Sequence, residues 1–511
     1  MPDPAGKVFL VGAGPGPSDL ITIRGAKALR SAEVVVYDYL VSEELLGLAP
    51  PGVEMISVAK RDGSKTRLAQ NQINSILIER ASAGKRVVRL KGGDPFIFGR
   101  GGEEAAALAA AGIVFEVIPG ITSAIAAPAF AGIPLTHRDH GSFVAFVTGH
   151  EDESKGAQAV PWAELARAAR QRGTLVLLMA TGNLDSHLQR LIAEGMPPQT
   201  PAAVIQWAAT AAQRTILATL DSLAERVSRA GIVSPATTVI GACAALREEL
   251  QWFEHRPLFG RRIVVTRGRR GADPLCLKLR ELGAEVIEFP TIETLPPESF
   301  ETLDSAIGRL GSFDWIVFTS AQGVESFIAR LRALRRDVRE IGKASIAAIG
   351  PATAAALERY ALGVSLVPDE YRAEAIADAL GEGRIRGRRF LIPRAQTARE
   401  ALPELLGLRG AAEVVTAPAY QTVAPSSRHA LRIRDRIDSA TIDLVSFTSS
   451  STAANFRAMV DESAKSVKAA AIGPITAETA RAAGFEVVAV ASVYTLDGLT
   501  EAIVNYFASC K

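Results

Sequence analysis

The apolar positions of the first half of the chain form short strand-like runs, separated by stretches with helical spacing. Residues 7–11 make up a β-rich run that ends in glycines, and residues 21–32 follow with helical spacing. Runs of the same kind occupy residues 34–37, 86–90, 143–148 and 174–179. Strands that alternate with helices are typical of parallel α/β sheets, so the pattern predicts an α/β fold for this half.

A proline- and glycine-rich stretch at residues 117–135 divides this half in two. It carries no charged residue and approaches the length of a membrane span, but Pro119, Pro128 and Pro134 would each interrupt a helix. We therefore expect a strand, a loop and a short helix here. The two lobes on either side, about residues 1–120 and 121–250, should together form one domain.

The character of the chain changes at residues 251–260. A charged segment that starts at Arg247 meets Pro257 and Gly260, which is typical of a helix end followed by a linker. A new strand-like run opens at Arg261. We expect a domain boundary with few contacts across it, and a second domain over residues 261–511.

Three elements of the second half recur in the same order. Residues 261–267 are echoed by 388–394, residues 313–320 by 442–449, and residues 348–353 by 471–476. An internal repeat of this kind predicts two similar α/β lobes that face one cleft. The repeated strands end in Thr-Ser or Gly-Pro and lead into helices, which collects hydroxyl and N–H groups suited to binding anions.

Composition and charge narrow the class of protein. Hydrophobic residues make up 48 % and charged residues 22 %, which is ordinary for a globular protein, and the net charge is +2. That balance favours neither nucleic acid nor a membrane as a partner. Cys243, Cys276 and Cys510 lie far apart and the N-terminus lacks an export signal, so we expect a cytoplasmic protein without a disulfide framework. His137 and His140 form an isolated HxxH pattern, and no metal is assigned to it.

Glycine-rich loops follow three of the predicted strands in the first half. They lie at residues 12–16, 92–93 and 119–120. Glycine allows a ligand to approach backbone N–H and C=O groups closely. A dinucleotide site would show GxGxxG, but Pro17 stands at the third glycine. From these residues alone, a nucleotide-dependent oxidoreductase and a tight turn without function stay open beside a different cofactor site.

The first half resembles uroporphyrinogen-III C-methyltransferases. The likeness is carried by residues 11–16, the Tyr37-Asp38 pair, the long run RLKGGDPFIFGRGGEE at 89–104, and residues 132–138 and 148–150. It covers about residues 6–250. The resemblance implies that this half methylates uroporphyrinogen III at C2 and C7 with S-adenosylmethionine, which gives precorrin-2.

The same resemblance implies a set of site residues. Asp38 corresponds to the family's proposed proton acceptor and Lys60 to its proposed donor. The positions that match the adenosylmethionine pocket are Pro15, Gly92, Gly93, Asp94, Ile97, Thr122, Ser123, Met179 and Ala208. This chain departs from the family at Ala208, where a glycine is usual, and at Pro17, where an acid is usual. A carboxylate suits the reaction because a C-methylated pyrrole is cationic until it loses a proton.

The second half resembles uroporphyrinogen-III synthases. The likeness is carried by two Phe-Thr-Ser strand ends, two Ile-Gly-Pro turns and residues 417–422. It implies two α/β lobes joined by a two-stranded ladder, with residues 261–290 plus 420–511 as one lobe and 291–419 as the other. It also implies closure of hydroxymethylbilane to uroporphyrinogen III, with loss of water and inversion of ring D and without a cofactor.

This second resemblance also implies site residues. Tyr420 corresponds to the tyrosine thought to assist departure of the hydroxyl group. The substrate's carboxylates are expected at Ser320, Thr353, Ser449 and Thr476. A role of these hydroxyls as helix N-caps stays open, because serine and threonine are common there.

The two resemblances support one another, since the product of the synthase is the substrate of the methyltransferase. We therefore interpret the chain as a bifunctional enzyme of tetrapyrrole biosynthesis, on a route to siroheme or cobalamin. The methyltransferase resemblance further implies a homodimer formed through the first half. The alternatives are a nucleotide-dependent oxidoreductase and a non-catalytic, two-lobed anion-binding module.

Overall fold

The structure, a computed structural model, describes most of the chain. The described residues are 6–50, 52–58, 68–150, 160–266, 273–291, 293–370, 373–397, 401–423, 437, 441–460 and 467–510. Their strands form four five-stranded sheets. None of the helices in this part of the chain combines the length and the apolar character that a membrane span requires.

The first sheet is parallel. Its strands are β1 (Lys7–Gly12), β2 (Val34–Tyr37), β3 (Glu54–Ser57), β4 (Arg86–Lys91) and β5 (Val114–Ile118), in the order β3-β2-β4-β1-β5. The helices are α1 (Ile23–Arg30), α2 (Glu43–Leu46), α3 (Gln70–Ser82) and α4 (Gly101–Ala110). The valine and leucine side chains of β1, β2 and β4 are buried on both faces, as expected for a parallel sheet covered by helices on each side.

The uncharged stretch at 117–135 has the structure predicted for it. β5 ends at Ile118, a loop follows, and α5 (Ser123–Phe130) begins after Thr122. The Thr122 Oγ1 accepts a hydrogen bond from the Ala124 N–H at 3.3 Å and caps this helix. The prediction of a strand, a loop and a short helix is therefore confirmed.

The second sheet is mixed. Its strands are β6 (Phe143–Thr148), β7 (Gly173–Leu178), β8 (Pro201–Gln206), β9 (Arg214–Thr219) and β10 (Ala236–Ile240), in the order β6-β7-β10-β8-β9. The helices are α6 (Trp162–Arg170), α7 (Leu184–Ala193), α8 (Leu223–Arg229) and α9 (Arg247–Leu250). β6 and β7 pair in parallel, whereas the β7–β10, β10–β8 and β8–β9 pairings are antiparallel. The parallel arrangement predicted from the strand-and-helix rhythm is wrong for these three pairings. For β8 and β9 the reason is the short connection, since residues 207–213 alone join them and a parallel crossover needs about a dozen residues or more.

Residues 251–260 pack against both neighbouring domains. Phe253 is buried, and its ring meets that of Phe130 edge-on at 4.9 Å between centroids. Glu254 accepts hydrogen bonds from Arg247, Thr215 and Gln213 at 2.6, 2.7 and 2.8 Å. Leu258 is fully buried in the apolar cluster of the following sheet. The side chains of this segment therefore complete the cores on either side of it, which its charged, proline-interrupted sequence does not predict.

Two further sheets contain the internal repeat. One has β11 (Arg262–Val265), β12 (Glu285–Glu288), β18 (Leu444–Phe447), β19 (Lys468–Ala471) and β20 (Glu486–Val490), in the order β12-β11-β18-β19-β20. The other has β13 (Glu293–Leu295), β14 (Trp315–Phe318), β15 (Ser345–Ala348), β16 (Arg389–Ala395) and β17 (Glu413–Val423), in the order β13-β17-β16-β14-β15. The described pairings are parallel apart from that between β13 and β17.

The helices of this half lie between and after its strands. They are α10 (Pro274–Glu281), α11 (Glu301–Gly308), α12 (Ala321–Ala333), α13 (Pro351–Glu358), α14 (Ala373–Ile385, kinked at Gly381), α15 (Ala401–Leu408), α16 (Ser450–Val460), α17 (Pro474–Ala482) and α18 (Leu496–Ser509). The chain forms two compact units, one of Met1–Phe289 with Ile433–Lys511 and one of Pro290–Arg432.

The predicted repeat is confirmed by the strand orders. The order β12-β11-β18-β19 in one sheet matches β17-β16-β14-β15 in the other, element for element. The first strand-and-helix unit pairs with the last part of the chain, since β11 lies next to β18. Because β17 continues to Val423, its sheet extends past the lobe limit expected at residue 419.

Candidate active sites

Three glycine-containing loops meet at one edge of the first sheet. β1 lies between β4 and β5, so the loops that follow these strands are neighbours. Gly14 and Gly93 exchange backbone hydrogen bonds of 2.8 and 3.2 Å. A Cβ atom on Gly12 would lie 2.5 Å from the Cα of Gly120. The loops can approach this closely only because these positions lack side chains.

Asp94 ties two of these loops together. Its Oδ2 accepts a hydrogen bond from the Gly120 N–H at 2.9 Å, and its Oδ1 accepts one from the Phe96 N–H at 2.8 Å. A Cβ atom on Gly93 would contact the backbone of Thr122 and Ser123 at 3.6 and 3.8 Å. The structure therefore brings together five of the residues predicted for the cofactor pocket, namely Gly92, Gly93, Asp94, Thr122 and Ser123.

The loop after β8 comes to the same place from the second sheet. A Cβ atom on Gly16, next to Pro15, would lie 3.3 Å from the Thr210 Cγ2. Ala208 sits between Trp207 and Ala209, which both have left-handed backbone with φ of +48° and +64°. Met179 also has a positive φ, +59°, directly after β7, and its side chain is 49 % exposed. Strained backbone that persists beside a cleft is a frequent property of ligand sites.

Asp38 directly follows β2 at this edge of the sheet. Its N–H donates to the carbonyl of Leu90 at 3.2 Å, and its Oδ1 accepts a hydrogen bond from Arg89 Nη2 at 2.6 Å. Arg89 is only 2 % exposed, and its Nε donates to Glu104 Oε1 at 3.0 Å. Lys91 Nζ donates to the same oxygen at 2.9 Å. We call these four side chains, Asp38, Arg89, Glu104 and Lys91, the Arg89 network.

Burial and charge act differently on the two cations of the network. Burial by itself would lower the pKa of Arg89, but the carboxylates of Asp38 and Glu104 raise it above its ordinary value. Burial and the neighbouring charge of Arg89 lower the pKa of Lys91, against the opposing effect of Glu104 and Asp38. Arg89 is therefore a permanent charge beside Asp38.

In the unit of Pro290–Arg432, the structure brings Tyr420 and Ser320 together. The Tyr420 hydroxyl and the Ser320 Oγ are 3.1 Å apart. Ser320 precedes α12 and accepts a hydrogen bond from the Gly323 N–H at 3.0 Å, so it is the N-cap of this helix. Thr353 is buried in the first turn of α13.

Ser449 and Thr476 lie in the other unit, at the corresponding places of the repeat. Ser449 precedes α16, and its Oγ accepts a hydrogen bond from the Thr452 N–H at 3.4 Å. Thr476 is buried in the first turn of α17. The interpretation as helix caps therefore holds for both serines. Backbone N–H groups of the first helical turn lie beside each serine, at the end of the preceding strand.

Two protein families match the chain in sequence. The tetrapyrrole (corrin/porphyrin) methylases match residues 7–224, and uroporphyrinogen-III synthase HemD matches residues 273–501. The porphyrin biosynthesis protein HemD of Ruminiclostridium josui is 37 % identical over 501 residues, which is 98 % of each chain. The chain belongs to this HemD family of porphyrin biosynthesis proteins.

Two further relatives are uroporphyrinogen III methyltransferases. The uroporphyrinogen-III C-methyltransferase of Bacillus subtilis is 40 % identical over 364 residues, 71 % of this chain and 74 % of the relative. The S-adenosyl-L-methionine-dependent uroporphyrinogen III methyltransferase of Methanosarcina barkeri is 46 % identical over 245 residues, 48 % of this chain and 94 % of the relative. This HemD-family chain is thus a fused methyltransferase and synthase, a bifunctional enzyme of tetrapyrrole biosynthesis, as the two resemblances predict.

Three residues next to Asp38 in this HemD-family protein were not singled out from its sequence. Arg89, Lys91 and Glu104 belong to the motif that carries the resemblance, but no role was expected for them. A signal was present, because β4 reads RVVRLK and charged residues inside an otherwise apolar strand are buried only when they are paired. Lys60, the expected proton donor, lies outside the described residues.

Proposed function

We propose that the synthase half closes hydroxymethylbilane to uroporphyrinogen III, and that the methyltransferase half converts this product to precorrin-2. Closure expels the terminal hydroxyl as water, forms a ring carbon–carbon bond and inverts ring D. Each methylation, at C2 and then C7, forms a bond from the ring carbon to the methyl group, breaks the methyl–sulfur bond of the donor and releases one proton. Two donor molecules are consumed for each tetrapyrrole.

S-Adenosylmethionine is the donor that the glycine loops fit. The bare backbone around Gly92 and Gly93 and the exposed side chains of Ile97 and Met179 offer both hydrogen-bonding groups and apolar surface. Both oxygens of Asp94 already accept backbone N–H groups, so its role is to hold the loops in place. When bound, the donor supplies an electrophilic methyl group, and the protein has to place the pyrrole carbon in line with it.

Asp38 is the residue that we assign to the proton released on methylation. Its carboxylate stands at the sheet edge where the glycine loops meet, and Arg89 fixes one of its oxygens at 2.6 Å. A carboxylate in this place stabilises the cationic, methylated pyrrole and accepts its proton. This position of Asp38 is the single observation that carries the proposal for the methyltransferase half.

Tyr420 is the residue that we assign to loss of the hydroxyl in the synthase half. Its hydroxyl is already oriented by Ser320 at 3.1 Å and can donate a hydrogen bond to the departing oxygen. The acetate and propionate groups of the substrate would be bound by hydroxyl and backbone N–H groups at the helix N-termini of this half. The hydroxyls are those of Ser320, Thr353, Ser449 and Thr476. Binding of this kind shapes a flexible polyanion for ring closure.

One experiment tests both halves. Purified full-length protein is given hydroxymethylbilane with and without S-adenosylmethionine, and the tetrapyrroles are separated by isomer and mass. We expect uroporphyrinogen III without the donor and precorrin-2 with it. Appearance of only the uncatalysed type I isomer would refute the synthase assignment, and unmethylated type III product in the presence of the donor would refute the methyltransferase assignment. The homodimer stays a prediction, which sedimentation of the full-length protein tests.

A further inference from the structure

The guanidinium group of Arg89 is held from three sides. Its Nη2 donates to Asp38 and its Nε to Glu104, at 2.6 and 3.0 Å. Its Nη1 lies 3.3 Å from the carbonyl of Leu90 and 3.5 Å from that of Val36. These two carbonyls belong to β4 and β2, so the planar group is fixed against the sheet itself. The direction in which Nη2 points at Asp38 is therefore determined by the fold.

The network buries three of its four charges almost completely and leaves Asp38 partly exposed at its outer end. Glu104 and Lys91 are 1 % and 3 % exposed, and the Oε2 of Glu104 has no hydrogen-bond partner among the described residues. Desolvating charges costs free energy that their attraction often does not recover, so a buried ion pair is poor evidence for a role in stability. The arrangement has a different use, because its outer end is the carboxylate that we assign to the reaction.

We propose that Arg89, braced by Glu104, is a positioning residue for methyl transfer, and that it fixes the carboxylate of Asp38 at the edge where the glycine loops meet. Glu104 fixes Arg89 by accepting a hydrogen bond from the Arg89 Nε, and Lys91 neutralises the second carboxylate of the network. The inference rests on the role proposed for Asp38. The role of Asp38 in methyl transfer then depends on the guanidinium group of Arg89, which contacts Asp38 and Glu104 at the same time.

Arg89→Lys is the informative substitution. A lysine keeps the positive charge but has a single nitrogen, which cannot donate to Asp38 and Glu104 in the geometry of a planar fork. A reacting group displaced by about 1 Å can cost roughly 100-fold in rate, so we expect kcat for the first methylation to fall about 10- to 100-fold. The KM for S-adenosylmethionine should change by less than about twofold, because the glycine loops are tied by other contacts.

A double-substitution cycle separates a positioning role from a structural one. The methylation rate of the full-length protein is measured for Arg89→Lys, Asp38→Asn and both together, with Arg80→Lys as the matched control. Arg80 pairs with Glu54 at the surface of the same domain and should leave the rate unchanged. If Arg89 acts through Asp38, Arg89→Lys should slow the Asp38→Asn protein by less than about threefold.

The outcomes distinguish the two proposals. A parent rate in Asp38→Asn alone would refute the role of Asp38 itself. A slow Asp38→Asn protein with a parent rate in Arg89→Lys would overturn only the inference about Arg89, as would an undiminished effect of Arg89→Lys in the Asp38→Asn background. Should Arg89→Lys fail to fold, Glu104→Gln serves in its place: it should lower kcat with KM for the donor retained, and a parent kcat would overturn the inference.

Discussion

Replacing Glu254 by alanine should destabilise the methyltransferase half, because it removes the carboxylate that neutralises the buried charge of Arg247. The Arg247 side chain is 9 % exposed and donates to Glu254 at 2.6 Å, while its other terminal nitrogen donates to the carbonyl of Ala131. Removing one member of a buried ion pair costs about 3–5 kcal/mol. Glu254 retains 18 % exposure, so water reduces the loss and the lower end, about 3 kcal/mol, applies. For a domain of this size we expect the melting temperature to fall by about 6–12 °C.

The measurement uses the methyltransferase half alone, since a methyltransferase relative aligns with 245 residues of this chain, which are 94 % of the relative's own length. Fragment 1–255, the same fragment with Glu254→Ala, and fragment 1–253 are unfolded by heat and by urea. Fragment 1–253 lacks Glu254, but its C-terminal carboxylate lies one residue earlier in the chain. Its stability against unfolding should therefore be intermediate between those of the other two fragments. Glu225→Ala is the control, because Glu225 pairs with Arg229 at the surface and should cost no more than about 0.5 kcal/mol.

The reasoning fails if Glu254→Ala and Glu225→Ala destabilise fragment 1–255 equally. Arg247 would then be paired by water or by Ala131 alone, and residues 251–255 would be a passive connection. A decrease of more than about 5 kcal/mol in the free energy of unfolding would also contradict the expected value. The three hydrogen bonds of Glu254 would then act as one cooperative network.

Four other outcomes follow from the sites. Asp38→Asn should retain binding of S-adenosylmethionine, measured by calorimetry, and slow formation of precorrin-2; an unaltered rate would remove Asp38 from the reaction. Tyr420→Phe should lower synthase turnover about 10- to 100-fold, because one hydrogen bond to a charged transition state contributes about 1.5–3 kcal/mol, with methylation of added uroporphyrinogen III intact. Gly120→Ala should weaken donor binding at least about tenfold, because its Cβ would lie 2.3 Å from the carbonyl oxygen of Gly93, whereas Gly102→Ala meets nothing within 4 Å and should bind normally. Fragments 1–255 and 257–511 should each keep their own activity; a fragment that folds but works only when the other is added would show a shared site.

Strands β1, β2 and β4 of the first sheet could be predicted because each is a short apolar run that the parallel sheet buries on both faces. β3 could not, because it lies at the margin of the sheet and most of its side chains are exposed. The repeat could be predicted because its strand ends recur in order, and the matching sheet orders follow from that. The antiparallel pairings of β10 could not, since no sequence pattern distinguishes them from the parallel pairing of β6 with β7. The packing of Phe253 and Leu258 was also missed, because two apolar side chains in a charged segment give no periodic signal.

The candidate sites were predictable only as far as a motif carries them. Asp38 and the glycine loops are adjacent in the sheet although 22 to 82 residues separate Asp38 from the glycines of these loops, and the order β2-β4-β1-β5 is what joins them. The partner of Asp38 depends on the same order: Arg89 is 51 residues away, and only the pairing of β2 with β4 places it within reach. A sequence shows that a strand carries charged residues, but the charge that meets them depends on which strands lie beside it.

The sheet that combines β11 and β12 with β18 joins segments that leave the ribosome at very different times. Ile263 pairs with Leu444, and all of the unit Pro290–Arg432 is synthesised between them. At a synthesis rate of about 5–20 residues per second, β18 is made roughly 10–40 s after β11. During that time one edge of the β11–β12 pair is open, with side chains such as Ile263 and Val265 that are fully buried in the complete protein. A chain that terminates before β18 would therefore contain all of the methyltransferase strands together with an unpaired apolar strand edge. We expect such chains to bind chaperones or to aggregate.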